Sequence, residues 1–156
     1  MENHNKFMLR AIELSKQSVK NGGGPFGAVI VKDGEIIAEA SNSVTQTNDP
    51  TAHAEVNAIR KASEKLNSFD LSGTTIYSSC EPCPMCLSAI YWARIDKLFF
   101  ANTRNDAAKI GFDDEFLYNE INLPIDKRSI PTKQMLREEA LFVFKLWEEK
   151  EDKIEY

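Results

Sequence analysis

The sequence predicts an α/β protein built around a mixed sheet with helices on both faces. Three observations carry this prediction: an apolar pattern of helical spacing near the start, two strand patterns joined by a tight turn, and alternating helix and strand patterns after them. The 156 residues, 42% of them hydrophobic, suffice for one compact core, and no repeat or linker divides the chain. We therefore expect residues 1–156 to form a single domain.

The first elements are a helix and a hairpin. Apolar residues recur at helical spacing from Phe7 to Val19, and the glycines at 22–24 end this helix. Two strand patterns follow. Asp33-Gly34 between them is typical of a two-residue hairpin turn, because both positions tolerate a positive φ.

The later elements alternate. The patterns predict a helix over about 51–66, a buried strand at 74–79, a helix after the cysteines and a second buried strand at 97–102. A C-terminal helix is predicted over about 132–150. We also expect the large aromatic residues of these apolar elements, Trp92, Phe99 and Phe100, to lie in the core.

Charge and cysteine content limit the possible partners. Nineteen basic and twenty-four acidic residues leave a net charge of −5, which disfavours nucleic acid and anionic membranes and favours a small-molecule ligand. No apolar run is long enough to span a membrane or to form a signal peptide. The three cysteines fit a metal site or a reactive thiol in a reducing compartment better than disulfides, so we expect a cytoplasmic protein.

Cys83 and Cys86 have the C-x-x-C spacing where a strand pattern changes into a helix pattern. Residues three apart share a helix face, so both sulfurs can bind one metal ion at about 2.3 Å, and the positive helix N-terminus favours their thiolates. The same spacing also occurs in pairs of core cysteines and in thioredoxin-like redox pairs.

His53 supplies a third ligand, and three ligands leave the fourth position of a zinc ion open, as in catalytic sites. The turn residues at 48–51 place His53 in the first turn of its helix. On an ideal helix His53 and Glu55 diverge by about 200°, so both face one ion only if it lies beyond the helix end. We therefore expect two helix N-termini to point at one cation.

Glu55 does not need to bind the metal, because it can act as the general base and proton shuttle. H-x-E followed by P-C-x-x-C is the signature of zinc nucleobase deaminases, and both halves are present in order. A fourth protein ligand would close the site to water, so Cys80 is interpreted as structural. Glu81 is interpreted as a capping or turn residue.

Four segments together resemble the bacterial guanine deaminases, a branch of the cytidine deaminase-like superfamily. In chain order they are GGPFGAVIVKDGEIIAEASN, NDPTAHAE, SSCEPCPMCLSAIYWARI and DAAKIGFDDEFLY. The resemblance covers about residues 23–118 and is weaker after them. It implies a three-layer α/β/α sandwich around a five-stranded mixed sheet.

The resemblance also implies a reaction of purine catabolism or salvage. Zinc-activated water attacks C2 of guanine and gives xanthine and ammonia. Carried onto matching positions, His53, Cys83 and Cys86 bind one zinc ion per subunit, with a catalytic water, and Glu55 transfers protons.

Substrate contacts follow from the same resemblance. Asn42 matches the residue that hydrogen-bonds the base, although an Asn at a strand end also serves as a turn residue. Phe26 matches the aromatic wall beneath the base. The carboxylates of Asp113 and Asp114 can accept hydrogen bonds from guanine N–H groups, and Asp114 is the preferred choice.

The C-terminus has two interpretations. Chain ends are often mobile, which would make Tyr156 a frayed residue. The resemblance instead implies a homodimer that exchanges residues 119–156, with a hinge at 119–131, so that Tyr156 of one subunit touches the base bound by the other.

Three other functions stay open. A guanosine deaminase differs only in having room for ribose, which the sequence does not reveal. A tRNA adenosine deaminase shares the fold, the ligands and the glutamate, but the acidic charge and the residues at 111–116 disfavour it. A zinc-binding module without activity is disfavoured because a structural site needs no base at Glu55.

Overall fold

The structure is a computed structural model that describes residues 4–156. Its strands are β1 (Gly27–Lys32), β2 (Glu35–Ser41), β3 (Thr74–Cys80) and β4 (Lys97–Asn102). Its α-helices are α1 (His4–Lys20), α2 (Val44–Thr47), α3 (Ala54–Leu66), α4 (Pro84–Trp92), α5 (Arg104–Lys109), α6 (Glu115–Asn122) and α7 (Arg137–Glu149). A short 3₁₀ helix, Ile125–Lys127, lies between α6 and α7.

The strands form one mixed sheet in the order β2-β1-β3-β4. β1 is antiparallel to both β2 and β3, whereas β3 and β4 are parallel. Asp33 and Gly34 adopt φ values of 50° and 79°, as the predicted hairpin turn requires. The predicted α/β class with a mixed sheet is confirmed.

Within residues 4–156 the sheet has four strands, so the expectation of five was wrong. The four strand patterns of the sequence account for all four, and the fifth was implied only by the resemblance. Within the described residues after β4 the chain forms helices and loops. The loops between α6 and α7 contain Pro124 and Pro131, which lack the N–H group that a strand ladder needs.

Helices pack on both faces of the sheet. Ala28 and Ile30 of β1 belong to a core cluster with α3 and α4, which contribute Ala58 and Ile90. Val29 and Val31 of the same strand belong to the cluster on the opposite face. There α1 contributes Phe7, Ala11 and Leu14. The alternation of the strand thus fixes which helices cover which face.

β3 and β4 differ in burial. Every residue of β3 is buried, as predicted. β4 is an edge strand with mostly exposed side chains, so its predicted burial was wrong, as it was for Phe99, Phe100 and Trp92. An apolar pattern indicates a strand, but it does not distinguish an edge strand from a central one.

The chain forms two compact units, of which the first ends at Glu115 and the second is Phe116–Tyr156. No side chain of the second unit is buried, although the structure describes all of its residues. α7 begins later than predicted, because Leu136 before it has a left-handed φ of 51°. None of the helices within residues 4–156 is long and apolar enough to cross a membrane.

Candidate active site

His53 is the N-cap of α3, since the helix begins at Ala54 and not near residue 51. Its backbone is extended, with φ −70° and ψ 157°, and its side chain makes no capping hydrogen bond. The expected divergence between His53 and Glu55 therefore does not arise, because only Glu55 lies inside the helix. The preceding turn is held by Asp49, whose Oδ1 accepts from the N–H and hydroxyl of Thr51 at 2.8 and 2.6 Å.

Cys83 occupies the equivalent position before α4. It is the N-cap, with φ −64° and ψ 167°, and its side chain is also free of capping. Pro84 takes the first helical position, where an N–H has no helical partner in any case. Cys86 follows within the first turn. Two helix N-termini therefore present the three predicted ligands.

The three donor atoms lie close together. Nδ1 of His53 is 3.6 Å from Sγ of Cys83 and 3.5 Å from Sγ of Cys86, and all three atoms are within 4.8 Å of one another. Ligands of a tetrahedral zinc ion, bound at about 2.0–2.3 Å, are separated by roughly 3.5 Å. One imidazole and two sulfurs at this spacing fit zinc and leave one position open.

The cysteine pair favours one thiolate. The hydrogen bond from the Cys86 thiol, reinforced by His53, lowers the pKa of Cys83 to about 4. The same pairing, together with burial, raises the pKa of Cys86. The hydrogen bond with Cys83 raises the pKa of His53. The three donors therefore include a thiolate, whose negative charge favours the binding of a cation.

Glu55 is buried in the first turn of α3. Ser78 on β3 donates its hydroxyl to Oε1 of Glu55 at 2.9 Å. Burial raises the pKa of Glu55, while hydrogen bonds from Ser78 and Cys86 oppose that rise by stabilising the carboxylate. A buried carboxyl group with a raised pKa holds a proton more readily than an exposed one, as a group that accepts and then releases a proton must.

A pocket of about 260 Å³ opens beside these residues. It is lined by Gly24, Phe26, Asn42, Val44, Thr45, Pro50, His53, Glu55, Glu81, Cys83, Phe112 and Asp114. Ligand pockets usually measure about 300–1,000 Å³, so this pocket suits a small ligand with one ring system, fused or simple.

Phe26, directly before β1, and Asn42, directly after β2, both line the pocket. Phe26 packs edge-to-face against Phe112, with ring centroids 4.9 Å apart. Oδ1 of Asn42 accepts from the N–H of Val44 at 3.2 Å, and its amide also lines the pocket. The turn interpretation and the binding interpretation of Asn42 are therefore compatible.

The loop that carries Asn42 is tied to α3 by Asn57. Its amide nitrogen lies 3.1 Å from the carbonyl oxygen of Ser41, 3.0 Å from the hydroxyl of Ser43 and 3.2 Å from the carbonyl oxygen of Ala52. These contacts hold the pocket wall beside the His53 helix.

The two aspartates before α6 differ. Asp114 lines the pocket, and burial, followed by the charge of Cys83, raises its pKa. Asp113 instead accepts from the N–H of Glu115 at 3.0 Å. Glu81 accepts from the N–H of Arg104 at 2.9 Å, the capping role expected of it, and also lines the pocket.

Cys80 does not belong to the group of three donors, and Tyr156 is described by itself in the second unit. Cys80 is buried, its Sγ lies 3.7 Å from the carbonyl oxygen of Thr103, and burial raises its pKa to about 11. It therefore stays a neutral thiol. Tyr156 lies in the second unit and is exposed.

Sequence reasoning missed several wall residues, namely Gly24, Val44, Thr45, Pro50 and Phe112. Gly24 carried a signal that was interpreted only as a helix stop. A Cβ there would lie 3.3 Å from the ring of Phe26 and 3.4 Å from the amide of Asn42, so a side chain would crowd both. The others reach the pocket only when the folded chain brings their separate segments together.

Comparison with known proteins agrees with this geometry. Residues 1–102 match the family described as the cytidine and deoxycytidylate deaminase zinc-binding region. The chain belongs to this deaminase family. It is therefore a zinc-dependent deaminase, and the His/Cys/Cys group lies in the matched region.

Relatives of this deaminase fall into two groups. It is 54% identical to guanine deaminase of Bacillus subtilis (strain 168) over 99% of both chains, and the X-ray structure of guanine deaminase from Bacillus subtilis superposes with a TM-score of 0.96 over 99% of both. The guanine deaminase structure from Nitrosomonas europaea has 31% identity and a TM-score of 0.70, covering 73% of this chain and 66% of that chain. A tRNA-specific adenosine deaminase of Aquifex aeolicus is 45% identical over 61% of this chain and 63% of its own.

Proposed function

We propose that this deaminase hydrolyses guanine to xanthine and ammonia in purine catabolism or salvage. The observation that carries the proposal is the 54% identity with a guanine deaminase over 99% of the chain. The match to the tRNA-specific enzyme of Aquifex aeolicus covers only 61% of the chain. The net charge of −5 also disfavours a tRNA substrate.

The proposed metal centre holds one zinc ion per chain on Nδ1 of His53 and the sulfurs of Cys83 and Cys86. The spacing of the three donors supports this ligand set. When bound, zinc supplies the Lewis acidity that makes a catalytic water nucleophilic near neutral pH. The helix N-termini support the anionic sulfurs.

Glu55 is proposed to move the protons. The carboxylate takes a proton from the water that adds to C2 of guanine, and delivers a proton to the amino group that leaves as ammonia. Its burial at the pocket wall and its raised pKa support both transfers. Guanine and water are thereby converted into xanthine and ammonia.

Phe26, Asn42 and Asp114 are proposed to bind the base. The ring of Phe26 offers an apolar face, and the amide of Asn42 offers a donor and an acceptor. The carboxylate of Asp114 can accept from the N–H groups of guanine. All three line the same pocket as Glu55, which supports the assignment.

We propose a homodimer that exchanges residues 119–156, so that Tyr156 of each subunit covers the pocket of the partner. The second unit has large exposed apolar residues and no buried side chain among those described, so it lacks a core of its own. With this segment in place, residues 1–156 act as one catalytic domain. The free thiols support a cytoplasmic location.

A substrate panel tests the proposed reaction. Ammonia release is measured with guanine, guanosine, adenine, cytosine and tRNA at equal enzyme concentration. We expect guanine to be the preferred substrate by kcat/KM. Preference for guanosine would assign the nucleoside instead, and release only from tRNA would contradict the proposal.

A further inference from the structure

Ser78 directs a buried hydroxyl at Glu55. It lies on β3, is 1% exposed, and its Oγ donates to Oε1 of Glu55 at 2.9 Å. The backbone N–H of Cys80 lies 3.5 Å from the same Oγ and can donate to it. That contact uses a lone pair of the hydroxyl oxygen, so the hydroxyl proton of Ser78 stays available for the carboxylate of Glu55.

A glutamate needs such a partner if it is to transfer protons efficiently. Its side chain has three rotatable bonds, and proton transfer requires a donor–acceptor separation of about 2.6–3.2 Å. A hydrogen bond from a fully buried strand fixes the orientation of the carboxylate. A buried carboxylate also needs hydrogen-bond donors, and the hydroxyl of Ser78 is one of them.

We propose that Ser78 is a positioning residue, whose hydroxyl holds the Glu55 carboxylate in the orientation that proton transfer needs. The inference rests on the proposed function of Glu55. Ser78 is not one of the described residues that line the pocket, so its effect on the reaction passes through Glu55. It should therefore influence kcat and leave substrate binding unchanged.

Thr74 offers a matched control on the same strand. It is fully buried, and its hydroxyl donates to the carbonyl oxygen of Leu71 at 2.6 Å. It lies at the opposite end of β3, about 13 Å from Ser78 along the strand. Thr74→Val and Ser78→Ala each remove one buried hydroxyl, but only the second touches Glu55.

The test compares kcat, KM for guanine, zinc content and Tm of these two variants with the wild type. Ser78→Ala should keep its zinc and its KM and lose about 10- to 100-fold in kcat, the factor for a lost hydrogen bond to a charged group. Thr74→Val should keep kcat even if its Tm falls. Equal kcat losses in both variants, or none in Ser78→Ala, would overturn the inference.

Single-turnover rates in the Glu55→Gln background show whether Ser78 acts through Glu55. There, Ser78→Ala should change the residual rate by less than about twofold, because coupled residues are non-additive. An undiminished loss in this background would overturn the positioning role. Wild-type protein that releases no ammonia from guanine would instead overturn the proposed function itself, and the inference with it.

Discussion

The two compact units differ in what they bury. The first contains two core clusters, one wholly buried strand and the buried Glu55. The second, residues 116–156, buries no side chain, although Phe142, Phe144 and other apolar residues are present. The proposed chemistry therefore depends on packing that the first unit completes itself, whereas the proposed exchange would supply the second unit with the surface of a partner subunit.

Loss of a sulfur ligand in the first unit should have the largest effect. Cys83→Ala or Cys86→Ala should lose zinc and guanine turnover together, because a single sulfur and an imidazole do not complete the site. Cys80→Ala is the control, since Cys80 is also a buried thiol. It should retain both. Metal analysis and ammonia release measure the outcome, and a zinc-free Cys80 variant would refute the ligand assignment.

Glu55→Gln should have the next largest effect. The variant keeps its ligands, so it should bind zinc normally, but without proton transfer its kcat should fall by about 10²–10⁴-fold. Steady-state kinetics on protein of measured zinc content provide the test. Near-normal turnover with full zinc would show that another group moves the protons.

Asp114→Ala should reduce kcat/KM for guanine by about 10- to 100-fold, since a buried substrate N–H would lose its acceptor. Asp113→Ala is the matched control, because Asp113 bonds the backbone N–H of Glu115. It should stay close to the wild type in kcat/KM. Equal losses in the two variants would remove Asp114 from the base-binding set.

Removal of residues 153–156 should have a smaller effect, and it tests the second unit. The truncated protein should keep its zinc, because the ligands lie in the first unit. Its guanine turnover should fall several-fold, since a lid that excludes water is lost. Tyr156→Ala separates the aromatic ring from the length of the tail. Wild-type kcat and KM would exclude the lid, and a monomer by light scattering would exclude the exchange.

The smallest effect is expected for the ion pair between Arg10 and Glu39, neither of which lines the pocket. The Arg10 hydrogen bonds hold the pKa of Glu39 below its ordinary value of 4.5. The pair thus adds stability above that value, and loses it as the pH falls through the folded-state pKa. Both side chains are more than one third exposed, so solvent screening limits the contribution to about 0.2–1 kcal/mol.

Glu39→Gln measures this contribution. Urea unfolding at pH 7 should show the variant slightly less stable than the wild type, and the difference should vanish at acidic pH. A difference that persists below the folded-state pKa of Glu39 would mean that packing, and not charge, is lost.

The fold and the site were predictable to different degrees. The hairpin, the buried strand β3 and the helices after His53 and Cys83 follow from local patterns, and all are present. The exposure of Phe100 was not predictable, because an apolar strand pattern does not distinguish a central strand from an edge strand. The expectation of a fifth strand was wrong because it rested on a resemblance and not on a strand pattern in this sequence.

Within the site, the signature residues were predictable because their spacing is typical of ligands presented at two helix N-termini. Val44 and Thr45 were not, since they begin the short helix α2, which reaches the pocket only because Asn57 holds the residues before it. Ser78 was also missed. Its hydroxyl meets Glu55 only after β3 and α3 pack together.

The central claim is that guanine deamination requires one zinc ion on His53, Cys83 and Cys86. The most direct measurement titrates metal-depleted protein with zinc while guanine turnover is recorded. We predict no ammonia release without metal, a linear rise on addition, and a break at one zinc per chain. Turnover by the metal-depleted protein, or a break at another ratio, would contradict the account.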